Sequence, residues 1–193
     1  MADGVNRQEA VPALLAEHEN MLIVTGLAGS AKDIGHLTKD GDNTFTMAGA
    51  MGGATAMGLG LALAQPDKRV VVVTGDGELL MNMSSLATVA VAKAPNLSIV
   101  CVDNGHYQET GDQESHTSQG VDLAAIAAGS GIKTCRTVTT MEEVEDARNL
   151  LAGANDTCFI HLKIDRTPPP VFKREMDAAT VKTRFRKAVL GVS

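Results

Sequence analysis

The chain has no tryptophan, one tyrosine and four phenylalanines, so its core cannot be built on aromatic rings. Alanine, valine, leucine, isoleucine and nine methionines must fill it instead. Three cysteines (Cys101, Cys135 and Cys158) stand far apart without C-x-x-C spacing, which excludes a disulfide framework and a zinc or iron–sulfur signature. No run approaches the roughly 18 consecutive apolar residues of a membrane span, and Met1-Ala2-Asp3-Gly4 lacks the basic and apolar segments of a signal peptide. A cytoplasmic protein with reduced thiols and no membrane partner is therefore expected. Basic residues are outnumbered too: 17 Lys and Arg against 23 Asp and Glu leave a net charge of −6, which argues against a general nucleic-acid binder.

What is present is enough for one domain with a sizeable core: 193 residues, 44% hydrophobic, with 19 glycines. Apolar β-type runs alternate with helical stretches. Strands are expected over 21–25, 69–74, 97–102, 133–138 and 158–164, and helices over 7–20, 49–65, 81–94, 121–131 and 141–153. Arg69-Val70-Val71-Val72-Val73-Thr74 is apolar without alternation, as suits a central strand covered on both faces. Thr140 and Glu143 have the spacing of a capping box. Residues 105–120 are polar and aperiodic and read as a long loop, a place where function often resides. The α/β alternation implies a doubly wound, mainly parallel central sheet with helices on both faces. We expect that domain over 1–166, and a Pro-led basic helical tail over 167–193 packing on the domain or on a partner subunit.

Ligands of such sheets bind beyond the carboxyl ends of the strands. Gly75-Asp76-Gly77 lies where the strongest strand ends and a helix begins. Glycines there permit a tight turn and close backbone approach, and helix-start amides can hold phosphate oxygens. A carboxylate would repel a bare phosphate, so Asp76 makes sense as ligand to a hard cation such as Mg²⁺, which shares its octahedron with phosphates and water. The next strand also ends in an oxygen donor, Asn104, and adjacent parallel strands would set it beside Asp76. Each piece alone is commonplace. Their order is specific: strand, Gly-Asp-Gly, helix, strand, Asn, with 25 residues between Gly77 and Asp103.

That order resembles the metal–diphosphate motif of thiamine-diphosphate enzymes. Ala48-Gly49-Ala50-Met51-Gly52-Gly53 is similar to the family segment whose apolar side chain wedges the cofactor into a V shape, and Tyr107-Gln108-Glu109-Thr110-Gly111-Asp112-Gln113 is similar to a loop of its small subunits. The resemblance covers residues 22–164. It implies a site for thiamine diphosphate and Mg²⁺, with Asp76, Asn104 and the backbone carbonyl of His106 holding the metal. Thr25, Gly26, Gly49, Met51, Gly75, Gly77, Glu78, Tyr107 and Gln108 would hold the cofactor. In this reading Met51 is the wedge rather than a core-filling methionine, and Glu78 lends its backbone while its side chain faces solvent at the helix start. His106 and His116 are candidate general acids, although loop histidines are commonly solvated surface groups.

The family activates its cofactor with a glutamate on a separate pyrimidine-binding domain, which these 193 residues do not hold. A pyrimidine-binding (alpha) partner subunit with a shared active site is therefore expected. Gly-Asp-Gly-x-Leu-Leu-Met followed by Leu86-Ala87-Thr88 is similar to the sulfopyruvate and phosphonopyruvate decarboxylases, which implies a small anionic 2-oxo acid as substrate. Ser30-Ala31-Lys32-Asp33 stands where these tend to carry Ser-Arg-Glu, an altered anion contact. Carboligation by the same cofactor, or a non-catalytic nucleotide-binding module, is the alternative.

Overall fold

The computed structural model describes residues 4–47 and 49–191. Six parallel strands form the central sheet: β1 (Met21–Thr25), β2 (Thr44–Thr46), β3 (Arg69–Gly75), β4 (Leu97–Asp103), β7 (Thr134–Val138) and β8 (Cys158–Lys163). Their spatial order is β2-β1-β3-β4-β8-β7, so chain order reverses between β1 and β3. Two further strands, β5 (His106–Tyr107) and β6 (Gln113–Glu114), make a small antiparallel hairpin beyond the end of β4.

The apolar runs are explained by burial on both sides. Val71 and Val73 pack under α1 (Arg7–Leu14), α2 (Ala28–Thr38) and α7 (Met141–Gly153). Val70 and Val72 alternate to the other face, which is covered by α3 (Ala54–Ala64), α5 (Ser85–Ala92), α6 (Leu123–Gly129) and α8 (Ala178–Leu190). Successive strand residues point to opposite faces, so a strand covered twice must be apolar at every position. The Thr140–Glu143 capping box opens α7 as expected. The doubly wound, mainly parallel α/β fold is what the alternation implied.

Several local expectations need correction. Nothing was assigned between Gly26 and Gly49, yet α2 and β2 lie there. The sequence of α2 contains two glycines, and β2 is three residues long, so neither carries a legible period. The apolar stretch 49–65 is helical only from Ala54, and the helix is not buried all round: Ala56, Gly60 and Leu63 face outward. The helix expected over 81–94 begins at Ser85, after a separate short turn of helix, α4 (Asp76–Leu80). The tail leaves the sheet through Pro168-Pro169-Pro170 and returns. Phe172 covers Gly35, where a Cβ would come within 2.7 Å of its ring. Phe185 of α8 meets Phe45 of β2 edge to face at 5.6 Å between centroids.

Candidate functional site

The reversal of strand order between β1 and β3 opens a crevice at the carboxyl edge of the sheet, where doubly wound folds take their ligands. Thr25 and Gly26 close β1 there, and the Gly26 amide donates to the Val73 carbonyl at 2.8 Å. Gly75 and Asp76 follow on β3, and Asp103 and Asn104 on β4. The β3–β4 register pairs Gly75 with Val102. The residue one step on from Gly75, Asp76, therefore has Asp103 as its neighbour, with Asn104 one position further along. The sequence reading had put Asn104 itself beside Asp76.

Asp76 and Asp103 are both buried, 3% and 1% exposed. They sit in different surroundings. Ser115 donates its hydroxyl to Asp76 Oδ2. Thr117 Oγ1 lies 2.7 Å from Asp103 Oδ1 and 3.4 Å from Asp76 Oδ2. Asp103 alone has basic side chains beside it: Lys163 Nζ donates to Oδ2 at 2.8 Å, and His161 Nε2 lies 2.7 Å from the same oxygen. The Gly105 amide donates to Oδ1 at 2.8 Å. Burial alone would raise the Asp103 carboxyl, but the hydrogen bonds from His161, Lys163 and Thr117 outweigh it and hold the group well below the ordinary range. Asp76 is pushed up to about 6, by burial first and by the Asp103 charge second. Two carboxylates side by side cannot both ionise cheaply unless a cation joins them.

The long loop is folded around this pair. Asn104 Oδ1 accepts from the His106 amide at 3.1 Å, and His106 Nδ1 lies 3.0 Å from the Asn104 carbonyl. Tyr107 lies over Gly77, where a Cβ would sit 2.2 Å from its ring, so only glycine fits. His116 is exposed on the short 3₁₀ turn His116–Gln119, and Gln108 is exposed in the loop after Tyr107. Gly49 and Met51 precede α3 in an open turn and are exposed, Met51 by 42%, so the methionine is not core filler. Ala48 of that segment lies outside the described residues.

Glu78 departs from its expected orientation. It is 5% exposed and turned inward, with the Leu27 amide donating to Oε2 at 3.0 Å. A Cβ on Gly26 would fall 1.5 Å from that same oxygen, so a larger residue after β1 would force the Glu78 carboxylate to move. Burial raises the Glu78 carboxyl against the opposing Leu27 hydrogen bond. Its Oε1 has no partner among the described residues. His161, buried, and Lys163, partly exposed, lie beside Asp103 and were not identified from sequence. The signal was present, since β8 is otherwise an apolar run interrupted by His161.

The donor chemistry fits a hard cation. Asp76 and the Asn104 amide offer oxygen, and no group of three or more His, Cys, Asp or Glu is gathered among the described residues to cage a metal by protein ligands alone. Magnesium typically takes one or two carboxylates and completes its shell with phosphates and water. The excess negative charge at Asp76 and Asp103 is what such an ion would neutralise.

Residues 31–162 match the model for the C-terminal TPP-binding domain of thiamine pyrophosphate enzymes. The chain belongs to this family. It is 38% identical over 133 residues to sulfopyruvate decarboxylase subunit beta of Methanocaldococcus jannaschii, covering 69% of this chain and 70% of that one. To the corresponding subunit of Methanothermobacter thermautotrophicus it is 32% identical over 189 residues, 98% of each chain. It is 37% identical to phosphonopyruvate decarboxylase of Streptomyces viridochromogenes over 95% of this chain, but spans only 46% of that longer relative. Among solved structures, benzoylformate decarboxylase of Polynucleobacter necessarius superposes with a TM-score of 0.68 at 20% identity, over 85% of this chain and 34% of that one. This last likeness is one of fold.

Proposed function

We propose that the chain is the diphosphate-binding subunit of a two-subunit, thiamine-diphosphate- and Mg²⁺-dependent decarboxylase of small anionic 2-oxo acids, of the sulfopyruvate or phosphonopyruvate type. The observation that carries this reading is the end-to-end match to a decarboxylase beta subunit, 98% of each chain, over a site whose buried acids call for a cation.

In this reading Asp76 and Asn104 hold the metal with the His106 carbonyl, and Thr25, Gly26, Gly75, Gly77 and the backbone of Glu78 form the floor for the diphosphate. Gly49, Met51, Tyr107 and Gln108 line its approach. Bound thiamine diphosphate supplies the electron sink for the carbanion left when CO₂ departs. The protein's part is positioning and exclusion. Gly26 and Gly77 let backbone come close, the Glu78–Leu27 bond fixes the turn after β1, and the Ser115 and Thr117 hydroxyls hold the loop against the acids. His106 and His116 would be the candidate general acids that return a proton to the product.

A pyrimidine-binding partner would cover apolar side chains that the chain leaves exposed. Leu63, Met81 and Val91 are 58%, 65% and 82% exposed on α3, on the turn before α5 and on α5. Large apolar side chains exposed in this way are what a partner interface covers. The test is calorimetric titration of thiamine diphosphate with and without Mg²⁺, then CO₂ release from sulfopyruvate by the reconstituted complex. Metal-independent binding, or no turnover of any 2-oxo acid, would overturn the proposal.

A further inference from the structure

A cleft of about 350 Å³ lies at the carboxyl edge of the sheet, lined by Gly29, Lys32, Glu109, Asp112, Arg166 and Pro168 among others. Three parts of the chain meet there: the first turns of α2 after β1, the hairpin loop after β4, and the segment after β8. Two cations face it, Lys32 on α2 and Arg166 beyond β8. Two carboxylates answer them from the loop. Lys32 Nζ lies 2.6 Å from Glu109 Oε1, and Arg166 pairs with Asp112.

Both pairs are half exposed, Lys32 and Glu109 by 36% and 49%, Arg166 and Asp112 by 52% and 45%. Ion pairs in such surroundings hold weakly. The carboxylates belong to a short hairpin. Glu109 and Asp112 lie between the two-residue strands β5 and β6, in a turn where Gly111 and Asp112 both have positive φ, 124° and 63°. Lys32 is well anchored: it sits on α2 one residue before Asp33, which forms a buried ion pair with Arg7 at 2.6 Å.

The geometry points to Lys32 and Arg166 as the receptor for the second anionic group of the substrate, with Glu109 and Asp112 as built-in substitutes that the substrate displaces. The inference rests on the decarboxylase reading for the identity of the substrate and adds the residues that select it. A sulfonate or phosphonate is a multidentate acceptor for ammonium and guanidinium donors. Its arrival exchanges two loop carboxylates for one substrate anion, leaving the hairpin free to close on a correct substrate. A 2-oxo acid with a neutral side chain leaves both pairs intact.

The test uses the full chain, alone and with its partner subunit, and the unreactive probe 3-sulfopropionate, with propionate as reference. Lys32→Gln and Arg166→Gln are each expected to weaken 3-sulfopropionate by about tenfold or more relative to propionate. Glu109→Gln with Asp112→Asn is expected to tighten it, a change of opposite sign that a merely structural role does not produce. Lys68→Gln, at the opposite edge of the sheet, controls for net charge. Unchanged affinity in both cation variants, equal losses for both probes, or no binding to the unaltered chain would overturn the inference. Turnover separates it from the reading beneath it. Decarboxylation of sulfopyruvate with an unaltered preference over pyruvate in both cation variants sinks the receptor and leaves the reaction standing. Cation-dependent binding of the probe without turnover of any 2-oxo acid does the reverse.

Discussion

Asp76 and Asp103 share a single hydroxyl. Thr117 Oγ1 stands 2.7 Å from one carboxylate and 3.4 Å from the other, between the ends of two neighbouring strands. The basic groups of the cluster, His161 and Lys163, both fall on the Asp103 side. Asp76 is left as a buried carboxylate with only hydroxyl donors from other side chains, poised for an ion that the chain itself does not supply.

Asp76→Asn is therefore expected to separate binding from folding. Its folded pKa lies above the ordinary value of 3.8, at about 6. For a raised carboxyl, the metal-free fold is favoured below the unfolded value and loses that contribution as pH rises through about 6. At neutral pH the substitution should abolish Mg²⁺-dependent cofactor binding yet raise metal-free stability by on the order of 1 kcal/mol. Calorimetry and urea unfolding in chelator measure the two; a parallel loss of both would refute the assignment.

Proton competition gives the site a pH signature. Because Asp76 must be ionised to take a cation, Mg²⁺-dependent cofactor affinity should be flat above about pH 7 and fall by roughly tenfold per unit below about pH 6. Asp103→Asn removes the neighbouring charge and should shift that fall to lower pH. Binding isotherms at stepped pH would show the displacement; an unmoved midpoint in Asp103→Asn speaks against the coupling.

The turn after β1 is matched to Glu78. Gly26→Ala places a methyl on the Glu78 carboxylate and should cost about 1–3 kcal/mol, as overpacking does. In a Glu78→Ala background most of that cost should vanish, since neighbours that clash are not additive. A double-mutant cycle by urea denaturation measures the coupling, and simple additivity would show that the two residues do not touch.

His161→Leu takes a donor from a carboxylate that stays buried. Such losses cost about 1–3 kcal/mol, here with Lys163, Thr117 and Gly105 still in place. Thermal unfolding of the variant beside a Lys163→Met control reports the share of each; a neutral His161→Leu would mean the Asp103 network is held by Lys163, Thr117 and Gly105 without the imidazole.

The exposed apolar side chains predict their own test. Leu63→Glu and Val91→Glu alter side chains already exposed, so the chain should remain folded while losing its partner subunit. Sedimentation of the mixed subunits, with circular dichroism of each variant, distinguishes the two; retained assembly in both would move the interface elsewhere.

Much of the fold was legible because its strands are buried on both faces. Arg69-Val70-Val71-Val72-Val73-Thr74 admits hardly any other reading, and the Thr140–Glu143 box marks its helix start by local chemistry. The elements that escaped, α2 and β2, are short or glycine-bearing and owe their form to neighbours: the buried Arg7–Asp33 pair and the pairing of Ile23-Val24-Thr25 with Thr44-Phe45-Thr46. The Gly-Asp-Gly turn and the Asn at the end of the next strand were readable by spacing. The inward turn of Glu78 was not, because nothing local distinguishes a helix-start carboxylate facing solvent from one capping a neighbouring turn.

The division follows from the range of the forces. Periodicity, capping and the order of oxygen donors along the chain are properties of neighbouring residues, and the sequence by itself determined the parallel α/β sheet, its central strand and the candidate donors Asp76 and Asn104. Only the tertiary structure decided that Asp103 rather than Asn104 adjoins Asp76, that His161 and Lys163 gather on one acid and spare the other, and that Lys32 and Arg166 meet across a single cleft. These contacts join residues up to 134 positions apart. Coulomb and hydrogen-bond energies depend on distance in space, which strand register and crossover connections set and sequence separation does not.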